Sequence, residues 1–322
     1  MQFKKLALAV LLAILAISAG YGADAEVSHA VDAAANAIDD AAHGTDAEAH
    51  HGLPPNAVPV FNIGPLQVTN SMIVVWIVAA AIILLAQMAT RDVKMAPAGL
   101  QNFVEMLVES LYGFFEDILG SHMVKKTFWF FCTIFVFILF SNWFGLIPGL
   151  GTIGFGHVDP AGHGFIVDAP LLRGANADLN MTSAMALLFF VLWVYWSLQA
   201  LGPGGMAGHI FDVKGHGKGF LGVFLVLVFI FVGGIEIVSI CVRPVALMFR
   251  LYGNVFAGEN ILETVMHMGG PILGGLFVFP FYLLELLVGL VQALVFALLT
   301  AVFTALMCEH HEEAGAEGAH AH

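Results

Sequence analysis

Residues 220–266 read FLGVFLVLVFIFVGGIEIVSICVRPVALMFRLYGNVFAGENILETVM, and this run decides the fold class of the chain. It is apolar along most of its length and much longer than the roughly 20 residues that a helix needs to cross a bilayer. It nevertheless keeps Arg250. A guanidinium at bilayer depth costs about 3 kcal/mol on insertion scales, so a chain that retains one usually uses it. Arg250 is therefore the first candidate functional residue.

The overall composition places the rest of the chain in the same setting. Apolar residues make up 59% of the 322 residues and charged residues only 11%, which the surface of a water-soluble domain could not tolerate. The formal net charge of -13 does not point to a binding partner, because the acidic residues are concentrated in the two tails. The composition predicts an integral membrane protein.

Four further apolar segments flank the first run, at residues 70–88, 128–147, 182–201 and 272–307. Together with residues 220–266 they predict an all-α polytopic membrane protein of about five membrane helices. The last two segments are too long for upright spans, which suggests strong tilt, breaks or a re-entrant course. Residues 98–122 alternate apolar and acidic side chains at helical spacing, so we expect an interfacial helix on the cytoplasmic side.

The two ends of the chain differ from its middle. Residues 1–23 have two lysines, a short apolar stretch and then small residues, which predicts a cleavable signal peptide, with a retained anchor as the alternative. Residues 24–58 are rich in Ala, His and Asp and have no sustained period, which predicts a disordered extracytoplasmic arm. Residues 59–307 then form the membrane domain, and residues 308–322 an acidic, His-rich cytoplasmic tail.

The distribution of lysine and arginine between the spans predicts the orientation. If the first span runs inward, six of the seven loop cations face the cytoplasm, and only one lies outside, in the loop at residues 149–180. The inner cations are Arg91, Lys94, Lys125, Lys126, Lys214 and Lys218, and the outer one is Arg173. The N-terminal arm is then outside and the C-terminus inside.

Polar residues in the last two spans are the candidates for function. Arg250 and Asn254 are one helical turn apart and share a face, as do Glu285 and Gln292, which are two turns apart. Glu259 lies nine residues after Arg250, which turns it to the opposite face and separates the two by about 14 Å along the axis. A direct salt bridge between them is therefore disfavoured. Intramembrane charges of both signs suggest a route for protons or cations.

One stretch within these spans resembles a known family. Residues 250–259, RLYGNVFAGE, resemble the signature of subunit a of the rotary F-type ATP synthases, in which Arg-Leu-Phe-Gly-Asn precedes an Ala-Gly pair and a titratable residue. The stretches NWFGLIP at 142–148 and DLNMT at 178–182, and the pair Glu285 and Gln292, agree with the same family. The resemblance covers roughly residues 68–307.

The resemblance implies roles for individual residues. Arg250 matches the arginine that faces the rotating ring of c subunits, and Glu236 matches the acid of the cytoplasmic half-channel. Asn254 and Gln292 match polar residues that lie near the arginine in the family. Asn142, Glu259 and Glu285 match residues of the family's outer half-channel. Carboxylates at both Glu259 and Glu285 leave open which of the two passes the proton.

The resemblance also implies the function and the partners. It predicts a proton-translocating stator subunit that is not itself an enzyme, needs no cofactor and no metal, and lies in a bacterial plasma membrane. The expected partners are the c-subunit ring, the b subunits of the peripheral stalk and the lipid bilayer, with no nucleic acid. The alternative is a secondary ion-coupled transporter, whose charges would bind a solute. Such folds usually show paired repeats with interrupted helices, and none is evident here.

Overall fold

The computed structural model describes residues 57–63, 66–158, 165–211, 220–268 and 270–308. The predicted signal peptide, residues 24–56 of the predicted arm and residues 309–322 of the tail lie outside these ranges. The α-helices are α1 Asn70–Ala89, α2 Leu100–Gly145, α3 Leu179–Phe211, α4 Phe220–Met268 and α5 Gly270–Cys308. The strands are β1 Pro59–Ile63, β2 Leu66–Thr69, β3 Gly154–Val158 and β4 Phe165–Pro170.

Five helices of the described chain are long and apolar enough to cross a membrane, which confirms the all-α polytopic class. Helix α4 has 49 residues and α5 has 39. At 1.5 Å per residue α4 is about 73 Å long, well beyond the roughly 30 Å of a hydrocarbon core. The two long final segments are thus two long antiparallel helices, with Pro244 inside the first and Pro280 inside the second. Their tilt stays a prediction.

Helix α2 joins two segments that the sequence suggested were separate. Residues 98–122 and 128–147 fall largely within this one element, which is interrupted at Gly120 (φ 74°, ψ 160°). Glycine alone readily adopts such a backbone conformation, so the break falls there. The buried Phe115 before the break stacks on the buried Phe131 after it, with ring centroids 5.4 Å apart. The first half of α2 therefore packs back onto the second.

Two β-hairpins, which the sequence analysis did not predict, lie between the predicted arm and α1 and between α2 and α3. Strands β1 and β2 pair antiparallel, and so do β3 and β4. The hairpins are tied together at the start of α1, where Asn70 Nδ2 donates a hydrogen bond to the carbonyl oxygen of Pro170 (3.0 Å). We call this side of the helix bundle the hairpin end.

Candidate functional site

A cavity opens where α2, α4 and α5 meet, towards the hairpin end. Its empty space is about 340 Å³, including the open mouth. Five of the seven residues that the sequence analysis selected line it: Asn142, Asn254, Glu259, Glu285 and Gln292. Their side chains come from three helices that are distant in sequence, so the tertiary structure brings them together.

Glycines allow both carboxylates to approach the neighbouring backbone closely. The Glu285 carboxylate of α5 lies against Gly258 of α4, where any β-carbon would overlap it. Similarly, Glu259 Oε1 lies where a β-carbon on Gly174 would stand. Since Gly258 directly precedes Glu259, the two carboxylates belong to one site. Glu259 Oε2 is buried and has no hydrogen-bond partner among the residues that the structure describes.

Amide side chains supply the other polar groups of the cavity. Asn176 Nδ2 donates to Asn142 Oδ1 (2.6 Å), and Asn142 Nδ2 donates to the carbonyl oxygen of Gly289 (2.9 Å). Farther along α4 and α5, Asn254 Nδ2 donates to Gln292 Oε1 (2.7 Å). Burial of an amide is tolerated when it is hydrogen-bonded, and these bonds fix the orientation of the side chains. Groups that can hydrogen-bond water thus extend from the carboxylates to the turn of α4 that carries Arg250.

Arg250 itself does not line the cavity. Its side chain is exposed on α4, and it forms no hydrogen bond or ion pair with any residue in the described part of the chain. It shares its face with Asn254, which is also exposed. An exposed cation on an apolar helix is costly within a bilayer, which makes Arg250 a candidate for function.

Glu236 lies apart from the cavity, nearer the start of α4. Its Oε1 accepts a hydrogen bond from Nη2 of Arg243 in an ion pair of 3.1 Å. The Arg243 guanidinium also lies over the ring of Phe303, 4.9 Å from its centroid. Two turns of helix place Glu236 and Arg243 on the same face, so this arginine is neutralised within the chain. This pair was not predicted from the sequence.

Charged residues at the hairpin end, to which the sequence pattern gave no role in the site, lie close to it. The Asp178 carboxylate is buried and accepts hydrogen bonds from the hydroxyl of Ser71 and the backbone N–H of Asn180. Burial raises the pKa of Asp178, although these two bonds and the charge of Arg173 oppose the rise. Arg173 is also buried. One signal could have found it, since it is the sole cation of the loop at residues 149–180.

Comparison with known proteins gives consistent matches. The family described as ATP synthase A chain matches residues 72–305. The chain is 32% identical to ATP synthase subunit a of Solidesulfovibrio magneticus, over 76% of this chain and 86% of the relative. It is 31% identical to ATP synthase subunit a of Gloeobacter violaceus, over 79% of this chain and 89% of the relative. The protein of the same name from Moorella thermoacetica is 27% identical, over 79% and 97% respectively.

Proposed function

The chain belongs to the ATP synthase A chain family, and we propose that it moves protons through two offset half-channels kept apart by Arg250. The family role is that of a proton-translocating subunit in the membrane sector of ATP synthase. It is a channel component of the complex rather than a catalytic subunit.

The cavity at the hairpin end is the proposed outer half-channel. The observation that carries the proposal is the convergence of Glu259, Glu285 and Asn142 in one narrow cavity between apolar helices. Two carboxylates can each bind and release a proton, and the amides can hold water between them. The bonded pair Asn254 and Gln292 would end this path beside Arg250.

Arg250 is the proposed barrier between the half-channels. A guanidinium stays protonated under essentially all conditions, so it cannot relay a proton and instead blocks a direct leak. It can also favour the ionised form of a carboxylate on the rotating ring. Two unit charges 4 Å apart attract by about 4 kcal/mol at an intermediate dielectric. This attraction is enough to favour proton release from the ring carboxylate, yet small enough for that carboxylate to leave Arg250 as the ring turns.

The partner at Arg250 is proposed to be the ring of c subunits. Along α4, six large apolar residues are exposed at alternating spacings of four and three, so they form one stripe. They are Phe231, Ile235, Val238, Val242, Val245 and Phe249. The stripe ends beside Arg250, and an apolar face with one cation suits a ring of helices that carry carboxylates. The b subunits are the further proposed partners within the complex.

The inner half-channel is proposed to run past Glu236, whose side chain is 40% exposed despite its bond to Arg243. The complex is proposed to lie in a bacterial plasma membrane, with the hairpin end outside and the C-terminus of α5 in the cytoplasm. The positive charges near the other ends of the helices support this orientation.

Passive proton flux tests the outer half-channel directly. Membranes stripped of the catalytic sector would be energised with a potassium diffusion potential, and proton uptake followed with a pH-sensitive dye. We expect the double variant Glu259→Gln/Glu285→Gln to suppress flux at neutral pH and each single variant to be milder, because one remaining carboxylate can still bind and release a proton. Glu109→Gln, an exposed carboxylate on α2, is the matched control. Unchanged flux in the double variant would refute the proposed path.

A further inference from the structure

Arg173 has an unusual position for an arginine in a connecting loop. It follows β4 and is only 4% exposed. Arginine is almost never buried to this extent unless opposite charge accompanies it. Here two carboxylates do so, because Asp178 follows five residues later and the Glu259 carboxylate lies against Gly174, the residue after Arg173. One carboxylate is in the same loop and the other on α4.

The backbone around Arg173 is held on both sides. Before it, the N–H of Leu171 donates to the carbonyl oxygen of Ile153 (2.8 Å). After it, Gly174 packs against both Glu259 and Gly145, with its missing β-carbon leaving the space that the Glu259 carboxylate occupies. The buried 3-10 turn Ala175–Ala177 then leads to Asp178. Arg173 is therefore a fixed charge beside the cavity.

The other charges around Glu259 are negative. Glu285 approaches it from α5, Glu263 lies on the next turn of α4, and Tyr252 faces it from two turns earlier. Arg173, from the loop, is the cation beside them, and its charge opposes the rise in the pKa of the buried Asp178. Without this cation three carboxylates would crowd one site, and like charges at that range favour proton retention.

We propose that Arg173 is the positioning residue of the outer half-channel: its fixed charge holds Glu259 and Asp178 in place and sets the outside pH at which the site loads its protons. This rests on the proposed function. A site that binds protons too tightly would fill readily from outside but release them slowly to the ring. The charge of Arg173 gives the site a proton affinity that permits both loading and release.

The test is the dependence of ATP synthesis on outside pH. The purified complex would be reconstituted in liposomes with its catalytic sector outward, so that the lumen corresponds to the outside of the cell. External pH and the valinomycin-set potential are held constant while lumen pH is varied. The variants are Arg173→Gln and Arg173→Met, which remove the charge, and Arg173→Lys, which keeps it. Assembly is checked first by co-purification with the c-subunit ring.

We expect both neutral variants to move the lumen pH of half-maximal synthesis upward by about one unit, since an opposite charge at this range changes a carboxyl pKa by about 1–3 units. Arg173→Lys should stay close to the unmodified complex. An unshifted midpoint in the neutral variants would overturn the proposal, and so would an equal shift in Arg173→Lys. Loss of assembly in all three variants would assign a purely structural role and also overturn it.

Arg250→Ala separates this inference from the function on which it rests. If the proposed function holds, that variant loses coupled synthesis at every lumen pH. Normal synthesis in Arg250→Ala would sink the proposed function itself. Loss of synthesis in Arg250→Ala together with an unshifted midpoint in Arg173→Gln and Arg173→Met would sink only the role given to Arg173.

Discussion

Arg243 and Arg250 lie seven residues apart on nearly the same face of α4, yet their surroundings differ. Arg243 is neutralised by Glu236 at 3.1 Å and stacks on Phe303. Arg250 is exposed and, within the described part of the chain, is bonded to nothing. Arg243 thus has its charge compensated within the chain, whereas the proposed function gives Arg250 a partner on the ring of c subunits.

We therefore predict that Arg250→Ala abolishes proton-driven ATP synthesis in membrane vesicles, whereas Arg243→Ala only weakens it. The half-exposed ion pair of Arg243 contributes about 0.2–1 kcal/mol and its ring contact about 0.5–1 kcal/mol, so its loss should be tolerated. Arg243→Ala is thus the control for removing a guanidinium from α4. Normal synthesis in Arg250→Ala vesicles would contradict the assignment.

Helix α2 depends on Gly120 for its shape. The break there lets Phe115 meet Phe131 and Phe128, with ring centroids 5.4 and 6.4 Å away, and so covers part of the apolar face of the first half of α2. A β-carbon on Gly120 would have no heavy atom within 4 Å, so a substitution there would strain only the backbone. This makes the position a clean test of the break itself.

Gly120→Ala should lower the stability of the purified protein in detergent by about 1–3 kcal/mol, since alanine at a φ of +74° is strained. Gly113→Ala is the matched control, on the same element, also with open space around the added carbon and without a positive φ. It should be neutral or stabilise the helix by about 0.5–1 kcal/mol. The thermal unfolding midpoints of the two variants would be compared. Equal midpoints would contradict the role given to the break.

At the scale of the whole molecule, the hairpin end connects the N-terminal region to the channel. The N–H of Asn70 donates to the carbonyl oxygen of Val58 (3.1 Å), and Val68 of β2 is fully buried. Val58 is thus held against the start of α1. Residues 24–56 lie outside the described ranges, and the disorder of this arm stays a prediction from its composition.

Deleting residues 27–51 while keeping residues 1–23 should leave assembly and proton-driven synthesis near normal. Extending the deletion through β2 is the contrasting variant and should impair assembly, because it removes the buried Val68. Co-purification with the c-subunit ring and synthesis in vesicles would be measured for both. If the variant that lacks residues 27–51 inserts in the membrane but does not assemble, the prediction that this segment is dispensable is wrong.

Local pattern was sufficient for the class of fold and for most of the polar residues of the site. The five helices follow from apolar runs, and Arg250, Asn254, Glu259, Glu285 and Gln292 are visible because polar groups are rare within such runs. The length and composition of a run are properties of consecutive residues. They can therefore be read before any contact between helices is known.

Only the tertiary structure decided how these residues meet. The cavity unites Asn142 with Glu285, which are 143 residues apart, and Gly174 admits the Glu259 carboxylate. The two short hairpins depend on pairing across strands, which periodicity in a glycine-rich loop does not reveal. Arg173 reads as an ordinary loop cation until the fold buries it beside Asp178 and Glu259, because burial and the distances between charges exist only once distant segments have packed together.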